Sequence, residues 1–437
     1  MSSNFSIRAI LCVVSAGFLI ASANAQTPSI APPSPAPPTQ NPPSTVPAPQ
    51  IPAPSAPVAA VPPTPMPFDA AVLKAANDLF SKANLTGEPD RILLVVDPLI
   101  DGNSGMQSVA TQTMGQKIVG LVKANYPRFQ VAPFTSDTLA KSPVVLIGTF
   151  TAINNAGLPQ GPPDVFRVCL ALADLGSKKI ISKGVARALP DGVDVTPTAF
   201  FTDSPVYIKD ASIDGYVKTC QTTKSGDPIV QAYADRILVA SLINDATDAY
   251  NAKRYADALD VYRSALRTPG GQQLRVLNGI YLANYALHRR KEAADAFGNL
   301  VDYGLQGDRL AVKFLFKPGS TRFATDPRLR APYPMWLKEI ADRTVAAKAC
   351  LEIDGHTSAS GIAAINNRLS ALRAEYVMDQ LQDDAPALEG HMIAAGKGSN
   401  EVIVGTGKDD ASDAIDRRVE FKVIKCDAPG ALSTTRK

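Results

Sequence analysis

Beyond its first twenty residues the chain has no run of the ~18 uninterrupted apolar residues that a membrane-spanning helix needs, so the mature chain is expected to carry no transmembrane span. It also lacks the series of ~10-residue alternating segments that builds a membrane barrel. Charge of either sign is not in excess: 44 Lys and Arg against 41 Asp and Glu leave a formal +3, too small and too scattered for a nucleic-acid partner. Histidine is scarce, and His288, His356 and His391 do not cluster with cysteines or acids at ligand spacing, so no metal site is expected. No Cys-x-x-Cys and no Ser/His/Asp or Cys/His set stands out. Gly396-Lys397-Gly398-Ser399 fails as a phosphate loop, because Gly390 lies one residue too far upstream and a glycine stands where magnesium needs a hydroxyl. Asp97, Asp101 and Asn103 lack the spacing and closing glutamate of a calcium loop. The chain reads as a non-enzyme with no cofactor.

What is present begins with an export signal. Arg8 precedes an apolar run from Ala9 to Ile20, and Ala23-Asn24-Ala25 matches the small-residue cleavage pattern, so residues 1–25 read as a signal peptide. The competing reading is an uncleaved anchor, for which the run is short. Residues 26–67 are proline, alanine, serine and threonine with almost no charge, a composition that cannot bury a core. At ~3.1 Å per residue such a tether reaches on the order of 100 Å.

Residues 68–225 read as an α/β domain. Helical patterns are expected at Phe68–Ala83 and Met106–Ala124, and strands at Arg91–Val96, Pro143–Gly148, Val165–Asp174 and Lys179–Arg187. From 231 to 305 the pattern is wholly helical, and Ala258 and Tyr262 recur as Ala293 and Phe297, a period of 35 (293 − 258). From 308 to 426 strands and helices alternate again: a strand at Leu310–Phe316, a helix at Tyr333–Lys348, and a strand at Ala349–Ile353. A helix from about Ala363 to Leu381 follows, then strands at Glu401–Val404 and Arg417–Lys425, and residues 427–437 form a polar tail. The fold class is therefore α+β and α/β, multidomain.

The densest chemistry lies in that last region. Gly355 and Gly361 bracket a polar loop at a strand's carboxyl end, and Asn366 and Arg373, seven apart, share a helix face that can look at it. A planar guanidinium suits a carboxylate because it donates two parallel hydrogen bonds. His356 is read as bonded to backbone rather than catalytic, Asp354 as too far along its strand (~13 Å) to serve the loop, and Asp409, Asp410, Asp413 and Asp416 as a solvated loop.

Gly355-His356-Thr357, Gly361, Asn366, Leu369-Ser370, Arg373-Ala374 and Arg417-Arg418-Val419-Glu420-Phe421 together resemble the OmpA-like domain. The resemblance implies a βαβαββ fold and non-covalent binding of peptidoglycan in the periplasm, at the cell wall and outer membrane. By that resemblance Arg373 takes the carboxylate of diaminopimelate in the stem peptide, with Thr357, Asn366 and Arg417 around it. The family's usual membrane barrel is missing, and Ser358 stands where the family has an aspartate for the ammonium. The stretches Ala249–Leu266 and Asn284–Phe297 resemble tetratricopeptide (TPR) hairpins. Leu146–Phe150, Arg167–Gly176 and Ile181–Val185 look like the curli-secretion and penicillin-binding-protein-activator type of envelope domain. Both resemblances imply envelope protein partners. Four cysteines follow the leader, leaving three pairings open by count. The OmpA-like fold implies Cys350–Cys426, which leaves Cys169–Cys220.

Overall fold

The computed structural model describes residues 63–83, 85, 91–158, 164–207, 209–317, 319–403 and 412–426. The expected leader, nearly all of the proline-rich segment and the tail at 427–437 lie outside the described residues. The protein is a mixture of helix and sheet.

The first sheet is built from β1 (Ile92–Val96), β2 (Ile100–Asp101), β3 (Phe129–Ala132), β4 (Val144–Ile153), β5 (Val165–Asp174) and β6 (Lys179–Ala188). Its order is β3-β1-β4-β5-β6, with β2 beside β4. β1 runs parallel to β3 and β4, whereas β4, β5 and β6 are antiparallel. Every residue of β4 is buried, as a continuous apolar run demands of a central strand covered on both faces. On one face lie α1 (Phe68–Ser81) and α2 (Val109–Asn125). On the other lie α3 (Ser136–Leu139) and, after α4 (Ala199–Asp203), the helices α5 (Ala211–Gln221) and α6 (Gln231–Ala234). β4 runs five residues past the expected Gly148. α2 begins later than expected because Ser108 and Thr111 form a reciprocal cap, each side chain accepting from the other's backbone N–H. The two- and four-residue strands β2 and β3 were too short to register as a pattern.

Cys169 in β5 and Cys220 in α5 are buried neighbours, as the pairing required, but they are thiols rather than a disulfide. The Cys220 thiol donates to the Cys169 sulfur at 2.7 Å. The expected second bond is therefore corrected to a thiol pair, the Cys169 thiol donating in turn to the Cys220 carbonyl.

Two helical hairpins follow: α7 (Ile237–Asn251) with α8 (Tyr255–Arg267), and α9 (Leu274–Ala286) with α10 (Arg290–Gln306). The 35-residue period recurs in the backbone. Lys253 and His288 both take left-handed conformations (φ 61° and 59°) at the two tight turns. Ala258 and Ala293 are buried at the helix contacts, with Tyr262 and Phe297 filling the gaps beside them.

The second sheet has the order β7-β10-β8-β9 and the chain order βαβαββ. Its elements are β7 (Arg309–Val312), α11 (Pro327–Arg330), α12 (Tyr333–Ala347), β8 (Cys350–His356), α13 (Ala363–Asp384), β9 (Met392–Gly398) and β10 (Val419–Ile424). Cys350 and Cys426 are bonded across the antiparallel β8–β10 pair, with α-carbons 5.3 Å apart. Trp336 of α12 stacks on Phe297 at 5.7 Å and donates to the Tyr281 hydroxyl at 2.7 Å, so the hairpins and this sheet share one apolar core.

Two expected strands are corrected. β7 ends at Val312, with Phe316 making only an isolated bridge to Phe323. The strand expected at 401–404 does not form over its described part, residues 401–403, and the fourth strand of the sheet is instead β9. β9 reads Met-Ile-Ala-Ala-Gly-Lys-Gly, poor in β-formers, because α13 lies too close to tolerate side chains. A Cβ on Gly396 would sit 2.6 Å from the Asn367 carbonyl oxygen and the Ala371 nitrogen.

Candidate functional site

One end of the second sheet gathers most of the residues singled out by sequence. β8 and β9 run parallel and finish there, and Thr357 N–H donates to the Gly398 carbonyl at 2.9 Å. β10 starts there, with His356 N–H donating to the Arg418 carbonyl, which places Arg417 at the same end as Thr357. The loop after β7 arrives at the same edge. α13 crosses above it because Gly355 leaves room: a Cβ there would stand 2.1 Å from the Ser370 carbonyl oxygen.

Asn366 closes the loop after β8, its Nδ2 donating to the Ser360 carbonyl at 2.9 Å. Ser358 and Ser360 hydroxyls meet at 3.1 Å. Arg373, two turns along α13, is only 4% exposed. Its guanidinium lies 4.7 Å from the Phe316 ring centroid, with Nε donating to the Ser320 carbonyl and Nη2 to the Lys317 carbonyl. Sequence reasoning aimed Arg373 only at the loop after β8 and missed this seat on Phe316 and the 317–320 turn. Its one sequence signal was Phe316-Lys317-Pro318-Gly319, an aromatic ahead of a turn. A fork held in this way has its orientation fixed in advance, which lowers the entropy lost on gripping an anion.

Asp354 is engaged elsewhere, as its distance along the strand implied. It is buried in β8 and paired with Lys397 at 3.1 Å and with Lys422. Asp413 and Asp416 correct the expectation of a solvated loop. Both are fully buried, and Asp416 accepts from the Ile403 N–H at 2.6 Å. Asp409 and Asp410 lie outside the described residues.

His356 is buried beside the Arg418–Glu420 pair, whose Nε–Oε1 distance is 2.7 Å. Burial first, and the Arg418 charge second, push its pKa down to about 3. The carboxylates of Glu401 and Glu420 at 3.8 and 3.9 Å favour the cation but do not prevail. A neutral His356 makes a pH prediction. The unfolded chain takes up a proton near pH 6.5 and the folded chain only near 3. The stabilisation is thus complete above 6.5 and declines as pH falls through that window. Between pH 7 and 5 it amounts to about 2 kcal/mol. His356→Gln should flatten the stability profile by that amount, measured as denaturant midpoints of both chains at each pH. An unchanged slope would place the imidazole in solvent.

No protein-family model matches the chain, and no curated protein sequence matches it. Solved structures similar to it include the cell wall anchor of the T6SS from Pseudomonas aeruginosa, 26% identical over 26% of this chain and 79% of that one, with a TM-score of 0.22. The peptidoglycan-associated lipoprotein from Burkholderia pseudomallei is 25% identical over 26% and 89%, with a TM-score of 0.22. The OmpA-like domain of FopA1 from Francisella tularensis is 18% identical over 27% and 77%, with a TM-score of 0.20. Each of these solved structures aligns with about a quarter of the chain.

Proposed function

We propose that this is an exported, non-enzymatic envelope protein whose terminal domain, residues 308–426, associates non-covalently with peptidoglycan. Arg373 is the carboxylate clamp for the diaminopimelate of the stem peptide, with Thr357, Ser358, Asn366 and Arg417 around it. The observation that carries this reading is the seating of Arg373 on Phe316 and on two backbone carbonyls, at the sheet end where the loop closed by Asn366 also arrives. The proline-rich segment 26–67 acts as a tether in the periplasm. The α/β domain at 68–225 and the TPR-like helices at 231–305 supply contacts to other envelope proteins.

Ser358 favours a second reading, a scaffold whose wall binding is weakened. Its hydroxyl carries no charge for an ammonium and already meets Ser360. A charged hydrogen bond is worth ~1.5–3 kcal/mol, or ~10- to 150-fold in affinity. Co-sedimentation with purified, protein-free cell wall separates the two. The mature chain should pellet with the wall, and Ser358→Asp should tighten binding at least about tenfold. A chain that stays in the supernatant, with Ser358→Asp unable to bring it down, would leave the scaffold reading standing.

A further inference from the structure

A second site lies far from the terminal sheet, at the carboxyl end of β1. The chain leaves β1 through α2 on one face of the first sheet to reach β3, then returns through α3 on the other face to β4. After β1 the chain stays beside β4, Asp97 N–H donating to the Leu146 carbonyl and β2 pairing again at Thr149 and Phe150, so Asp97 to Leu99 form a break in the strand on the face that α5 and α6 cover. A cleft occupies that position, about 540 Å³ including its solvent-open mouth, closed from above by residues of the helical hairpins.

Its lining holds opposite charges with unused bonding capacity. Asp97, the residue after β1, is 5% exposed; its Oδ2 accepts from the Tyr233 hydroxyl at 2.7 Å, and its Oδ1 accepts no hydrogen bond among the described residues. Arg275, at the start of α9, donates through Nη2 to the Gly105 carbonyl and lies over the Phe201 ring at 5.3 Å. Its Nε and Nη1 donate to no residue among those described. The side chains of Gln107 and Ser212, both buried, likewise make no hydrogen bond there. A buried carboxylate with a bare oxygen, a guanidinium with spare donors and two unspent polar groups facing one narrow cleft are complementary to a small molecule carrying both charges.

We propose that this cleft binds a small α-amino acid as its zwitterion, the ammonium on Asp97 and the carboxylate on Arg275. The small enclosed part of the cleft leaves room for only a short side chain on the ligand. Burial raises the Asp97 carboxyl to about 7, against the lowering effects of the Tyr233 hydroxyl and Arg275. Of the other groups facing it, Tyr216 and Tyr233 are pushed upward by burial and stay neutral, and Arg236 adds a second guanidinium. Only the carboxylate form holds an ammonium, so affinity should climb about tenfold per pH unit below 7 and level off above it.

Titration calorimetry on the full chain tests this with glycine, L-alanine and D-alanine. The controls are N-acetylalanine, which lacks the ammonium, and alaninamide, which lacks the carboxylate. At least one free amino acid should bind, each blocked form at least about tenfold more weakly, and Asp97→Asn and Arg275→Gln should each weaken it at least about tenfold. Should either variant fail to fold, the comparison of free and blocked alanine on the unaltered chain decides. No binding by any of the three amino acids, or equal binding by the blocked forms, would overturn the proposal.

Discussion

A Gly355→Ala chain should lose about 3 kcal/mol or more of stability, at the top of the range for overpacking a core. The added methyl would stand 2.1 Å from the Ser370 carbonyl oxygen and 2.9 Å from its carbon. That neighbour is helix backbone, not the end of a flexible side chain, so α13 must lift away from β8 as a body. Because α13 carries Asn366 and Arg373 while β8 carries Thr357 at its end, the same shift pulls the two halves of the candidate site apart. Chemical denaturation should show a lower midpoint, and wall binding should fall with it. Gly184→Ala offers a control in the first sheet: there a Cβ would meet the Ala75 carbonyl at 1.9 Å, a clash of the same kind remote from the candidate site. A Gly355→Ala chain with unchanged midpoint would mean that α13 is not seated this closely.

Removing the disulfide should have a comparable effect for a different reason. The Cys350–Cys426 bond closes a separation of 76 residues, and the chain-entropy model assigns such a loop about 4 kcal/mol. The bond joins the start of β8 to the end of β10, so it limits the unfolded chain without adding to the packing of the sheet. A Cys350→Ser, Cys426→Ser chain should therefore keep its spectroscopic signature at low denaturant and unfold at a clearly lower midpoint. The unaltered chain in reductant should match it. Equal midpoints for oxidised and reduced protein would contradict this account.

Local pattern explains how much of this architecture could be read from residues alone. β5 coincides with the expected Val165–Asp174, and α12 and α13 start where their patterns start, because alternation and helical periodicity are local properties. β9 was misplaced because its composition is set by a neighbour: Gly396 and Gly398 exist for α13, and nothing in the strand itself announces that. Asp413 and Asp416 looked solvated since four aspartates in eight residues usually are, yet tertiary hydrogen bonding takes Asp416 inside. At the terminal site the motif spacing singled out Asn366 and Arg373, whereas Phe316 and the Lys317 and Ser320 carbonyls come from the loop after β7, more than fifty residues upstream of Arg373. The cleft at Asp97 was not legible at all. Asp97, Gln107, Ser212 and Arg275 meet only because a crossover and a pair of hairpins bring them together, and in the sequence Asp97 figured only in a calcium-loop pattern that fails.

The central claim, that Arg373 clamps a wall carboxylate, meets its most direct test in sedimentation with purified, protein-free cell wall. Unaltered chain, Arg373→Lys and Arg373→Ala should be compared at equal concentration, after confirming that all three melt cooperatively. Binding should disappear with Arg373→Ala. Arg373→Lys should fall in between, since it keeps the charge but loses the two-pronged geometry. If the unaltered chain pellets with the wall and Arg373→Ala pellets equally well, the clamp is wrong.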